Sequence, residues 1–149
     1  MGKISENLMW NISQVMAWMR ESFPQAFLNG RDYTVEELRP GHAKVRLIVG
    51  DAHLRPGGTV SGPAMMEMVD FAAYVLLIAH HGDAARLSVT TNLAISFLRK
   101  PEAGDIICEL DVLKHGKTLI VMNADIRSIA DNALIGHAEM TYFNADGKS

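Results

Sequence analysis

Between Ala64 and Ile78 the chain carries only two charged residues, Glu67 and Asp70, and is otherwise apolar on nearly every helical face. Gly62 and Pro63 suit the first turn of a helix, and Ser61 or Gly62 suits its cap. The pattern therefore predicts one helix from Gly62 to about His80. A helix this apolar all round must be wrapped by other structure. The longest unbroken apolar run inside it, 71–79, has nine residues, about half a membrane span, so the expected wrapping is protein and no membrane partner is expected.

The rest of the chain supplies that wrapping. Ile4, Leu8, Ile12, Val15 and Met19 recur at spacings of four and three, which predicts an amphipathic helix within an N-terminal helical segment, 1–30, ended near Phe23 by Pro24. Residues 34–49 alternate as strands around a Pro40–Gly41 turn, and a loop follows over 50–61. After Gly82–Asp83 everything reads as strand: the runs 87–97, 105–113, 118–127 and 133–143 alternate, with links short enough for an antiparallel meander. A helix ~27 Å long beside strands ~33 Å long fits a curved sheet folded round the helix. Helices and strands are segregated, so the class is α+β, and 149 residues make a single domain.

Composition narrows the function. Fourteen Lys and Arg stand against 17 Asp and Glu, a net charge of −3 with no basic block, which disfavours a nucleic-acid partner. The single cysteine, Cys108, excludes an internal disulfide and any zinc site of several thiolates, and its alternation with Ile106 and Leu110 makes it a core residue. The first ten residues do not read as a secretory signal, so a cytoplasmic protein is expected. Gly57-Gly58-Thr59-Val60-Ser61-Gly62 matches neither the dinucleotide fingerprint nor the phosphate loop. The six histidines show no metal-ligand spacing, and neither a metal nor a cofactor is expected.

Chemistry gathers on the long helix. Ionised groups are seldom placed on an apolar helix unless they are paired, reach solvent or are used, and Glu67 and Asp70 lie one turn apart on the same side. Either could serve as nucleophile or general base. At the start of the helix the Gly62 N–H is a donor at the positive end of the dipole, suited to a carbonyl oxygen that becomes an oxyanion. Gly62 and Asp70 are eight residues apart, or ~12 Å along the axis, too far to act on one carbonyl. If they share a site, a second copy in two-fold pairing supplies one of them, and the catalytic reading requires a dimer.

The segment Arg55-Pro-Gly-Gly-Thr-Val-Ser-Gly-Pro63, followed by Met68-Val-Asp70, resembles the central motif of the hotdog-fold acyl-CoA thioesterases. The likeness is closest to the phenylacetate-pathway and 4-hydroxybenzoyl-CoA type, and it extends through Leu87–Asn92 and Leu113–Lys117. It implies a long central helix wrapped by a curved antiparallel sheet, with hydrolysis of an acyl-CoA to the acid and CoA. It implies that Asp70 is the nucleophile or general base, that the partner's Gly62 N–H polarises the thioester carbonyl, and that Ser88 helps position the attacking water. Two positions depart from the family pattern: Ser61 stands at its His, and Pro63 at its second Gly. Arg55 stands where relatives carry Asn or Gln. With Glu67 and Lys117, these three residues are the expected substrate contacts. CoA enters as part of the substrate, and the implied assembly is a homodimer, itself paired into a dimer of dimers.

A second reading keeps the same cleft as a non-catalytic acyl-CoA binder. A third, hydration of an enoyl thioester, needs an Asp–His pair near the helix start that Ser61 and Pro63 do not supply. Arg99, Lys100, Lys114 and Lys117 lie at strand ends and read as solvated charges that could also meet CoA phosphates. His80 and His81 suit a helix C-terminus, and His53 reads as a loop residue.

Overall fold

The structure, a computed structural model, describes residues 7–28 and 30–147. Helix α1 spans Ile12–Ser22 and is shorter than its periodicity suggested. Asn11 caps it, its side chain accepting from the Gln14 N–H while the Gln14 side chain accepts from the Asn11 N–H, each at 2.9 Å. This reciprocal cap fixes the start, so Leu8 precedes the helix, while Ile4 lies outside the described residues. Phe23 ends α1 as expected, and Pro24–Phe27 form a single tight turn after it.

Strands β1 (Asp32–Arg39) and β2 (His42–Ile48) make the expected hairpin, with Gly41 in the left-handed region at its turn. The loop that follows contains a miniature hairpin, β3 (Leu54–Arg55) and β4 (Thr59–Val60), which the alternation did not reveal. It leads into α2 (Gly62–His81), capped by Ser61 and stopped by Gly82. Strands β5 (Val89–Phe97), β6 (Ile106–His115), β7 (Leu119–Ser128) and β8 (Leu134–Phe143) follow.

The six long strands form one antiparallel sheet in the order β1-β2-β6-β7-β8-β5. Here the expected meander is corrected. β6, β7 and β8 are consecutive neighbours, but β5 pairs with β8 and lies on the outer edge. The link from β5 to β6 is a crossover at the end of the β7–β8 hairpin: the Leu98 and Arg99 N–H groups both donate to the Ile135 carbonyl, at 2.9 and 3.3 Å. Eight residues between strands can step past two strands as readily as they can close a hairpin, so link length alone did not decide.

The sheet curves round α2. Leu47, Leu110, Met122, Ile126 and Met140 on its concave face are fully buried, as are Met68, Val69, Ala72, Val75 and Ala79 on the helix. Cys108 is in this core, and burial pushes its thiol pKa up. The other side of α2 is covered by α1 and the turn after it. Val15 and Met19 are fully buried, and Tyr33 stacks on Phe71 with centroids 4.1 Å apart. This two-sided cover is why α2 is apolar all round. By length and composition alone the stretch Gly62–Ala85, mean hydropathy 1.4, could cross a bilayer, yet here it is the core of the fold.

Candidate active site

The first turn of α2 leaves one donor unspent. Of the four N–H positions that open a helix, Ser61 donates to the His53 carbonyl at 2.7 Å, Pro63 has no N–H, and Ala64 donates to Ser61 Oγ at 3.2 Å. Gly62 alone remains, and no partner for it is found among the described residues. It borders a cavity of about 830 Å³ lined by Arg55, Pro63, Met65, Phe97, Arg99 and Lys100, among others. A Cβ on Gly62 would meet the Phe97 ring at 3.1 Å, so the missing side chain lets that ring lie against the helix start.

Asp70, half-buried, lies two turns further along and opens into a different cavity of about 350 Å³. Phe23, Tyr74, Arg86, Ser88, Thr90 and Tyr142 contribute to its lining, and no residue is common to the two cavities. The Tyr142 hydroxyl donates to Asp70 Oδ1 at 2.7 Å, and the Thr90 hydroxyl donates to the same oxygen. Among the described residues Oδ2 accepts no hydrogen bond, and no Lys or Arg forms an ion pair with this carboxylate. A carboxylate that lines a cavity and is held by one oxygen, its other oxygen without a hydrogen bond among the described residues, can attack an electrophile or take a proton from water. The surrounding phenols stay protonated: burial first, then the Asp70 charge, pushes Tyr142 up, and burial pushes Tyr33 up to about 12.

A family model described as Thioesterase superfamily matches residues 57–134, a stretch that holds both groups. The chain belongs to the thioesterase superfamily. The crystal structure of a candidate thioesterase from Silicibacter sp. TM1040 is 38% identical to it, covers 93% of this chain and 94% of its own, and superposes with a TM-score of 0.83. Acyl-coenzyme A thioesterase 13 of Homo sapiens is 28% identical over 109 residues, 72% of this chain and 76% of that protein. A hypothetical thioesterase of Streptococcus pneumoniae, solved with coenzyme A, shares the fold at 22% identity and a TM-score of 0.72, covering 87% of this chain and 95% of its own. The architecture is the hotdog fold, and the protein is a thioester hydrolase.

The other expected site residues fall unevenly within this thioesterase. Arg55 and Pro63 line the Gly62 cavity, and Ser61 acts as the cap. Ser88 is buried in the lining of the Asp70 cavity, where its Oγ accepts the Ala145 N–H at 2.8 Å and ties down the C-terminal turn. Two expected substrate contacts lie outside both cavities of the single chain. Glu67 borders neither cavity and pairs with Arg31 at 3.0 Å, because helical rotation between positions 67 and 70 turns it to the exposed side. Lys117 is exposed in the β6–β7 turn, beside His115 and the His81 end of α2, and also lines neither cavity. Thr90 and Tyr142 were missed. The available signal for Tyr142 was a phenol on the inward face of the last strand, which must find a partner once buried.

His53 is buried, 3% exposed, with Nδ1 accepting the Gly50 N–H at 2.9 Å, so it is structural. His80, His81 and His115 cluster at the far end of α2. Among the described residues no group of His, Cys, Asp or Glu has the arrangement to hold a metal ion.

Proposed function

We propose that this thioesterase hydrolyses acyl-CoA thioesters to the free acid and CoA, at sites built by two copies of the chain. The observation that carries the reading is the separation of the two reactive groups: Asp70 and the free Gly62 donor open into cavities with no shared wall. The name of the human relative, acyl-coenzyme A thioesterase 13, supports the substrate class. In one route Asp70 Oδ2 attacks the thioester carbon and expels CoA thiolate, leaving an anhydride that water opens. In the other Oδ2 takes a proton from the water that attacks. In both, the partner's Gly62 N–H holds the developing oxyanion.

The edge strand supports the shared site. Val89 and Thr90, at one end of β5, line the Asp70 cavity, and Phe97, at the other end, lies against Gly62. Among the described residues the outer edge of β5 has no neighbouring strand, and Val89 and Phe97 are exposed by 56% and 52%. Antiparallel pairing of two β5 strands sets the Phe97 end of one copy against the Val89 end of the other. Each Gly62 cavity then joins its partner's Asp70 cavity.

The test is release of CoA, followed with a thiol reagent, from a panel of short, medium and aromatic acyl-CoAs. Turnover with at least one of them, reduced about a thousandfold or more in Asp70→Asn, is the expected result. Tight binding without release, or an Asp70→Asn variant as fast as the parent, overturns the assignment.

A further inference from the structure

Asp70 is held by hydroxyl groups and not by a cation. Its terminal torsion is soft, so an unrestrained carboxylate would sample many orientations in the cavity. Tyr142 restrains it from β8: the residue is 3% exposed, its hydroxyl lies 2.7 Å from Oδ1, and it also reaches the Asp70 carbonyl oxygen at 3.3 Å. Thr90 is the cross-strand partner of Tyr142, so one antiparallel pair delivers both donors to the same oxygen.

We propose that Tyr142 is a positioning residue for the reaction: its phenol anchors Asp70 Oδ1 and aims Oδ2 at the substrate. The inference rests on Asp70 being the reactive acid. The other groups around Asp70 do not replace the phenol. Tyr74, on α2, donates to the Arg86 carbonyl at 2.6 Å, and Ser88, just before β5, is bonded to Ala145. Among the described residues neither Tyr33, on β1, nor Glu67, on α2, hydrogen-bonds to Asp70, and Glu67 pairs with Arg31. The Arg86 guanidinium is engaged by Asp83 at 2.9 Å and lies over the Trp18 ring. Burial and the neighbouring negative charge keep Tyr142 itself a donor at neutral pH.

Tyr142→Phe removes the hydroxyl and keeps the ring that stacks on Tyr74 at 6.3 Å, so packing survives. The expected result is a kcat lowered about tenfold per folded enzyme, with a KM within about twofold of the parent. Thermal melting and the folded fraction by circular dichroism separate lost structure from lost positioning: a kcat per folded enzyme equal to the parent's, with any loss of rate matched by a lower Tm and a smaller folded fraction, would assign Tyr142 to packing and overturn the proposal. Asp70→Asn distinguishes the two levels of failure. If that variant is dead while Tyr142→Phe keeps the parent kcat, only the role of Tyr142 falls. If Asp70→Asn retains turnover, the underlying assignment of the acid falls as well.

Discussion

Glu67 and Asp70 lie three positions apart on one helix and meet opposite surroundings. Glu67 reaches the exposed side, where Arg31 pairs with it at 3.0 Å; Asp70 turns toward β5 and β8, where two hydroxyls hold it. Exposed ion pairs contribute at most ~1 kcal/mol. Glu67→Gln is therefore expected to keep kcat/KM within about twofold and to lower stability by less than ~1 kcal/mol, checked by steady-state kinetics and urea denaturation. Loss of turnover in Glu67→Gln with turnover kept in Asp70→Asn would reverse the roles given to the two acids. The sequence made both acids conspicuous because an apolar helix advertises any charge. It could not separate them, because the separation depends on which surfaces of α2 the sheet and the N-terminal segment cover.

At the scale of elements, β5 shows how a local irregularity hides a site residue. Strict alternation groups Thr90 with Asn92, Ala94 and Ser96 on one polar face. In the structure Thr90 pairs with Tyr142 and Asn92 pairs with Thr141, so Thr91 is an extra residue that shifts the parity of the strand. Before this bulge Ser88 and Thr90 turn inward; beyond it Leu93 and Ile95 do. No pattern of period two can announce such a change, although the strand itself was legible from end to end. The C-terminal end of α2 carries a separate consequence. His80 is buried, its Nε2 accepts the Gly41 N–H at 3.0 Å, and burial first, then His115 and His81, holds its pKa down to about 4 from 6.5. As pH falls from 6.5 toward 4, the unfolded chain gains a proton that the folded chain resists, so stability is full above that window and declines within it, by roughly 3 kcal/mol. Urea midpoints measured across this range should fall steadily with acid. His80→Gln, which retains an acceptor for Gly41, should remove much of the slope.

For the whole molecule, the order of elements and their wrapping round α2 were readable from hydrophobic period, whereas the position of β5 was not. Strand neighbours are set by which edges the folded sheet leaves open, and link lengths constrain that only loosely. The open edge is what makes a two-copy site testable without a structure of the pair. Gly62→Pro deletes that N–H donor and keeps a residue suited to the first helical turn, while the exposed Phe97 ring gives way by a few tenths of an ångström. Asp70→Asn and Gly62→Pro should each be nearly inactive alone. Co-refolded in equal amounts, they should regain about a quarter of the parent rate, since half the dimers are mixed and each mixed dimer has one intact site. No recovery in demonstrably mixed dimers would place both groups within a single copy. The seating of α1 bears on anything larger. Among the described residues α1 and the Pro24–Phe27 turn already rest on the back of α2. Were pairs to stack by the outer sheet surface, where His137 meets Asp125 at 2.8 Å and Glu139 stands exposed, that contact would loosen as ionic strength rises.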